Sequence, residues 1–97
     1  MEYKIDILLH AKIEIIEATE YYQKILDNLS NELLIEFYSH LDIIAKDPFH
    51  YQVFKKPYRK LNLSRFPYKI IYMVEEYNIS IVAFAHHKRK PNYWKKR

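Results

Sequence analysis

The stretch YKIIYMVEEYNISIVAFAH, residues 68–86, decides the fold, because it contains two strand patterns separated by a short polar connection. Its first part, Tyr68 to Glu75, carries β-branched and aromatic residues on both sides of the pleat and is the clearest strand of the chain. Glu76-Tyr77-Asn78 forms a short hairpin connection, and Ile79 to His86 forms the next strand. We therefore predict that this stretch is the central hairpin of a sheet.

The segments before this hairpin predict two helices and two further strands. Apolar residues from Ala11 to Leu29 recur at steps of four and three, which places them on one face of a helix. A second helical stripe follows Ser30, which we assign as its N-cap, and ends at Asp47-Pro48. Tyr3 to Leu9 and Arg59 to Leu63 have the pattern of strands. The order β-α-α-β-β-β predicts an α+β fold, in which an antiparallel helical hairpin packs on one face of a small, mainly antiparallel sheet.

Composition narrows the class of protein. Ninety-seven residues suffice for one modest core, so we expect a single domain over residues 1–97. The absence of cysteine excludes a disulfide scaffold and a thiol nucleophile, and the absence of glycine excludes the phosphate-binding loops of P-loop, Rossmann and kinase-type sites. The sequence shows no apolar run of membrane-spanning length and no signal-peptide pattern, so we expect a cytoplasmic protein with no membrane partner. We also expect no cofactor.

Charge is divided unevenly between the two halves of the chain. Residues 1–50 contain four Lys and Arg against ten Asp and Glu, a balance of −6, whereas residues 51–97 contain twelve against two, a balance of +10. The two balances sum to the net charge of +4. This asymmetry favours a surface that binds a polyanion or an acidic partner.

The central strand has two faces with different surroundings. Ile71 and Met73 alternate out of phase with Ile70 and Tyr72, so only one of these sets can pack on the helices. If Ile70 and Tyr72 do so, Ile71 and Met73 lie beside Lys69 on the open face of the sheet. An apolar strip among cations either binds another protein or is covered by a terminal segment of the same chain.

Cations and rings gather where the last strand runs into AHHKRKPNYW, residues 85–94. Such a mixture suits RNA, because cations bind phosphate and ring faces stack on unpaired bases. In RNA cleavage, cations neutralise the phosphorane and a histidine or tyrosine exchanges protons. The candidates for the first role are Lys60, Lys69, Lys88 and Arg89, and those for the second are His86, His87 and Tyr93. The alternative is a solvated basic tail.

The adjacent histidines do not predict a metal site. Neighbours on a strand face opposite ways, so His86 and His87 cannot bind one ion while the strand continues. The remaining histidines, His10, His40 and His50, have no ligand spacing. We therefore predict no metal.

The motif FPY-x-I-x-Y at residues 66–72, followed by a strand and by H-x-x-R-x-P at residues 86–91, resembles the RelE/ParE toxin superfamily of plasmid stabilisation proteins. The likeness extends through the helical hairpin to the first strand. It implies the fold described above, a growth-inhibiting toxin and neutralisation by a co-expressed antitoxin that lies across the open face. The residues that we expect to contact this partner are Ile71, Met73, His86, His87 and Trp94.

The resemblance implies two mechanisms and does not choose between them. In RelE-like toxins, which cleave mRNA on the ribosome, Lys60, Lys69, Lys88 or Arg89 and Tyr93 or Trp94 would fill the family's positions, but Asn62 stands where a second lysine belongs. ParE-like toxins poison DNA gyrase by binding and need no catalytic set, and the His86 end of the last strand looks rather more like theirs. There are two alternatives. One is a degenerate toxin that only binds its antitoxin, and the other is a non-catalytic module that binds nucleic acid.

Overall fold

The computed structural model describes residues 3–97, except the side chain of Lys96, and contains a helical hairpin and one five-stranded sheet. In chain order the elements are β1 (Lys4–Ile7), α1 (Leu9–Ile25), α2 (Asp27–Lys46), β2 (Val53–Lys55), β3 (Tyr58–Asn62), β4 (Tyr68–Glu75), β5 (Asn78–His86) and a 3-10 helix (Tyr93–Lys96). The predicted α+β fold is confirmed, with one strand added: β2 is a three-residue strand that the sequence did not reveal. None of the helices in the described part of the chain is long and apolar enough to cross a bilayer.

The sheet is antiparallel except at one edge. Its order is β1-β5-β4-β3-β2, and β1 joins β5 in parallel, with Ile7 opposite Ile81. The predicted hairpin is present: β4 and β5 pair along their whole lengths and are joined by Glu76 and Tyr77. Glu76 has a φ of 53°, the left-handed conformation that a two-residue hairpin turn requires.

A bulge interrupts the pairing of β4 with β5. Ile71 lies opposite Ala83, whereas the next residue, Tyr72, lies opposite Ile81, so Val82 has no opposite residue. An extra residue of this kind increases the local twist and redirects the end of the strand. Pairing resumes on the far side of the bulge and continues to Tyr68 opposite His86.

The boundary between the two helices differs from the prediction. α1 ends at Ile25, four residues before the predicted end, and Leu26 alone separates it from α2. The assignment of Ser30 as N-cap is wrong, because α2 begins at Asp27 and the Ser30 hydroxyl donates to the carbonyl of Asp27 one turn back. A serine inside a helix commonly satisfies its hydroxyl in this way. The predicted end at Asp47-Pro48 is confirmed.

Each face of the sheet carries a hydrophobic cluster. On the helix side, Ile70 and Tyr72 are fully buried, as the pleat predicts, and the Tyr72 hydroxyl donates to the carbonyl of Pro48 at 2.7 Å. On the other side, Ile71 is 0% exposed in a second cluster with Val82, Ala83, Ala85 and Trp94. The expectation that Ile71 lies open to a partner is therefore wrong. The alternative is observed: the C-terminal segment folds over it.

Candidate functional site

The face of β3 and β4 that points away from the helices carries two of the candidate cations. Register places Lys60 opposite Ile71 and Asn62 opposite Lys69, so both lysines are on this face. Lys60 is half-buried, with its ammonium 4.9 Å from the centre of the Phe54 ring. We call the surface formed by Tyr58, Lys60, Lys69 and Met73 the lysine face.

Met73 is the accessible apolar residue of the predicted strip. It is half-buried and borders a cavity of about 180 Å³, whose lining includes Leu8, Tyr58 and Val82. The adjoining part of the face is closed by Trp94, whose ring centre lies 4.5 Å from that of Tyr58. The lysine face is thus a partly covered surface beside a small cavity, whose lining also includes the polar side chains of His10 and Arg97.

An ionic network ties the C-terminal residues to α1. Arg97 donates through both terminal nitrogens to the carboxylate of Glu14, at 2.8 and 2.9 Å, and Tyr93 donates its hydroxyl to the same carboxylate. Glu14 also accepts the backbone N–H of Phe84 at 3.1 Å, and Arg97 donates to the carbonyl of Val82 at 3.0 Å. Because β1 ends at Ile7, opposite Ile81, these side chains satisfy backbone groups of β5 that have no neighbouring strand.

The same network shifts the pKa of each of its members. Burial alone would raise the pKa of Glu14, but hydrogen bonds from Arg97, Tyr93 and Phe84 lower it overall. Burial and the hydrogen bond to Glu14 raise the pKa of Tyr93 well above its ordinary value. Tyr93 therefore stays protonated and engaged, which makes it a poor group for proton transfer to a substrate.

A cleft of about 530 Å³ lies between α1 and the end of β5, and we call it the tyrosine cleft. Its α1 wall includes Tyr21 and Tyr22, and its sheet wall includes Tyr68 and His86, which lie opposite each other across β4 and β5. Tyr68 is stacked on Phe84, with 4.6 Å between ring centres and an interplanar angle of 8°. The walls of the cleft are therefore largely aromatic.

The rim of the tyrosine cleft is cationic. Lys88 and Arg89 line it, and the guanidinium of Arg89 lies 3.9 Å from the centre of the Tyr93 ring. The backbone N–H of Lys88 donates to Nδ1 of His86 at 3.0 Å. Burial, together with the charges of Lys88 and His87, lowers the pKa of His86, whereas burial raises that of Tyr68 to about 12. Near neutral pH the neutral imidazole is favoured in this positive environment.

The structure divides the predicted site residues between two surfaces. Lys60, Lys69 and Met73 lie on the lysine face. Lys88, Arg89 and His86 line the tyrosine cleft on the helix side of the sheet, and His87 is exposed at the sheet end. Trp94 is 2% exposed, so its expected place on a partner-binding surface is wrong, because the side chain forms the cover of the second cluster.

Sequence reasoning missed the aromatic part of the cleft. Tyr21 lies off the apolar stripe of α1, and Tyr22 and Tyr68 looked like core residues. The signal in the sequence is the pair of adjacent tyrosines on α1. It does not by itself predict a cleft, because the cleft forms only where α1 lies beside the end of β5.

Comparisons with known proteins identify the fold. No family model and no curated protein sequence matches the chain. Among solved structures, a chain from the chromosomal ParDE TA system from P. aeruginosa is similar, with a TM-score of 0.75 and 11% sequence identity, over 87% of this chain and 95% of that chain. Similarity at this identity concerns the fold alone, and this fold is the one that the RelE/ParE resemblance of the sequence implies.

Proposed function

We propose that this chain is the toxin of a type II toxin–antitoxin pair. The observation that carries the proposal is the fold shared with a chain of the ParDE TA system over nearly the full length of both chains. The motifs at residues 66–72 and 86–91 support the same class from the sequence. The net charge of +10 over residues 51–97 suits an acidic partner or a nucleic-acid target.

We place the antitoxin on the lysine face, around Met73. An apolar side chain of the partner would enter the cavity beside Met73, and Lys60 and Lys69 would pair with acidic residues around it. In this arrangement neither Ile71 nor Trp94 touches the partner, because Trp94 covers Ile71 and both are buried. Such an arrangement would give a helix or strand of the antitoxin one apolar contact at Met73 and ionic contacts with lysines on the same face of the sheet.

Among the two mechanisms of the superfamily, inhibition by binding, as in gyrase poisoning, agrees better with the geometry. RNA cleavage requires cations and proton-transfer groups around one phosphate. Here Lys60 and Lys69 face away from the helices, Lys88 and Arg89 line a cleft on the helix side, and Tyr93 is bound to Glu14. Ribosome-dependent mRNA cleavage by Lys60, Lys69, Lys88, Arg89 and Tyr93 is the second candidate.

Induced expression in bacteria separates these two mechanisms. After induction, plasmid supercoiling and incorporation of labelled methionine are followed from the same culture. We expect supercoiling to change while protein synthesis continues. If protein synthesis stops first and mRNA fragments accumulate, the cleavage mechanism replaces the binding mechanism.

A further inference from the structure

The tyrosine cleft exists because β1 is shorter than β5. β1 ends at Ile7, opposite Ile81, and beyond that point the edge of β5 meets a side chain of α1, since the Phe84 N–H donates to Glu14. Glu14 and Arg97 satisfy Val82 and Phe84 at the near end of this edge. Farther along, no strand of the described residues fills the gap, and the cleft of about 530 Å³ remains between α1 and His86. This volume lies within the range of about 300–1,000 Å³ that is typical of ligand sites.

The interior of the cleft presents ring faces and ring edges. Tyr68 stacks on Phe84, and Tyr22 stands edge-on to Tyr68, with 6.3 Å between ring centres. Tyr21 stands edge-on to Tyr22 at 5.0 Å and is 58% exposed at the mouth. Tyrosines in this arrangement offer a planar ligand several rings to stack on, at little cost in side-chain entropy.

The rim offers positive charge that no carboxylate of the described residues neutralises. Three ion pairs are found among the described residues 3–97: His40–Glu36, Arg65–Glu32 and Arg97–Glu14. None of them includes Lys88 or Arg89. Contact with Tyr93 fixes the position of Arg89 without removing its charge. Guanidinium and ammonium groups that line the same cleft are suited to bind a phosphate.

The two carboxylates on the α1 wall of the cleft, Glu14 and Glu17, form no ion pair with Lys88 or Arg89. The charge of Glu14 is paired with that of Arg97, and the Tyr93 hydroxyl donates to the same carboxylate. Glu17 lines the cleft on the wall opposite the cations and is exposed, so it can accept hydrogen bonds from amino groups of a ligand. The cleft thus has a cationic rim, an aromatic interior and a hydrogen-bond acceptor on the far wall.

We propose that the tyrosine cleft binds a nucleotide, with its base stacked among Tyr21, Tyr22 and Tyr68 and its phosphate held by Lys88 and Arg89. The site is built without a glycine-rich loop, because side chains instead of backbone amides hold the phosphate. The nucleotide comes either as a free mononucleotide or as one unit of a single strand. The inference goes beyond the proposed toxin function and is independent of it, since it concerns binding by the purified chain and not bacterial growth.

Titration of the purified full chain with two probes tests the proposal and separates the two sources. The probes are cytidine 5′-monophosphate, whose amino group can donate a hydrogen bond to Glu17, and a single-stranded hexaribonucleotide. Binding of the mononucleotide identifies a free nucleotide as sufficient, and binding of the hexamer alone identifies a strand. Both outcomes support the site, provided that inorganic phosphate at equal concentration does not displace the probe.

Matched variants locate the binding. Tyr21→Ala removes a ring at the mouth of the cleft, and Tyr38→Ala is its control, because Tyr38 is 53% exposed on α2 and stands edge-on to Phe37 at 5.1 Å. Lys88→Gln removes a rim charge, and the exposed Lys90, which lies outside the cleft lining, provides the control Lys90→Gln. We expect Tyr21→Ala and Lys88→Gln each to raise Kd about tenfold, with little change in the two controls.

Three results overturn the proposal. The first is that neither probe binds at concentrations on the order of 1 mM, the weakest affinity relevant to such a site. The second is that Tyr21→Ala has no effect on Kd. The third is that Lys90→Gln weakens binding as much as Lys88→Gln, which would attribute binding to the general positive charge of the C-terminal segment.

Discussion

Replacing Trp94 with alanine tests whether the C-terminal segment closes one face of the sheet. Trp94 is 2% exposed and packs edge-on against Tyr58 and Phe54, with ring centres 4.5 and 5.9 Å apart. Beneath it lie Ile71 and Ala83, both 0% exposed. Trp94→Ala therefore removes the largest side chain of this cluster and exposes the apolar surface below.

The expected loss of stability is large. Truncating a buried aromatic residue to alanine costs about 3–5 kcal/mol, and we take about 3 kcal/mol because a terminal segment can rearrange more freely than an internal one. For a domain of this size, each kcal/mol lowers Tm by about 4–8 °C, so Tm should fall by about 12–24 °C. Trp94→Phe keeps a ring in the same place and should cost about 1 kcal/mol.

Thermal unfolding followed by far-UV circular dichroism measures this effect without using tryptophan emission. Lys95→Ala is the matched control, since Lys95 is the exposed neighbour in the same 3-10 helix, and such changes usually stay within about 0.5 kcal/mol. If Trp94→Ala lowers stability by no more than Lys95→Ala, the segment does not cover the sheet. Ile71 would then be accessible to a binding partner.

Three further predictions concern the network, the lysine face and the candidate cations. Because the pKa of Glu14 is lower in the folded chain than its ordinary value of 4.5, Glu14 stabilises the fold above that pH and loses this contribution as the pH falls through the folded pKa. Glu14→Gln should therefore lower the free energy of unfolding by about 1–3 kcal/mol at pH 7. In acid, the free energy of unfolding measured by chemical denaturation should depend less on pH than in the unchanged chain, and an equal pH dependence would contradict this. Met73→Asp should weaken antitoxin binding far more than it lowers Tm, whereas Tyr72→Asp should unfold the chain, and the reverse pattern would mean that the two faces are wrongly assigned. Growth inhibition should be lost, with Tm nearly unchanged, when alanine replaces Lys60, Lys69, Lys88 and Arg89 together; a folded variant that remains fully toxic would remove these residues from the working surface.

Local patterns predicted the parts of the fold whose structure depends on local sequence. The alternation in residues 68–86 identifies the central hairpin, and the four-three spacing after Ala11 identifies α1. Asp47-Pro48 ends α2 because the residue before a proline is unfavourable in a helix. β2 escaped prediction because its three residues lie at a sheet edge and are too few for a period to show.

The candidate site could be predicted only in part, because it depends on how distant segments meet. Pleat geometry correctly placed Lys60, Lys69 and Met73 on one face, since alternation is a local property. It could not show that Trp94 closes that face. Nor could it show that Lys88 and Arg89 line a cleft with the α1 tyrosines, because that depends on where β1 ends.

The central claim is that the chain is a toxin held in check by a partner, and growth after induction tests it most directly. The chain is expressed from an inducible promoter, alone or together with a candidate antitoxin, and viable counts are compared at confirmed soluble expression. We predict arrest of growth with the chain alone and normal growth when both are expressed. Unimpaired growth with the soluble chain alone would contradict the account.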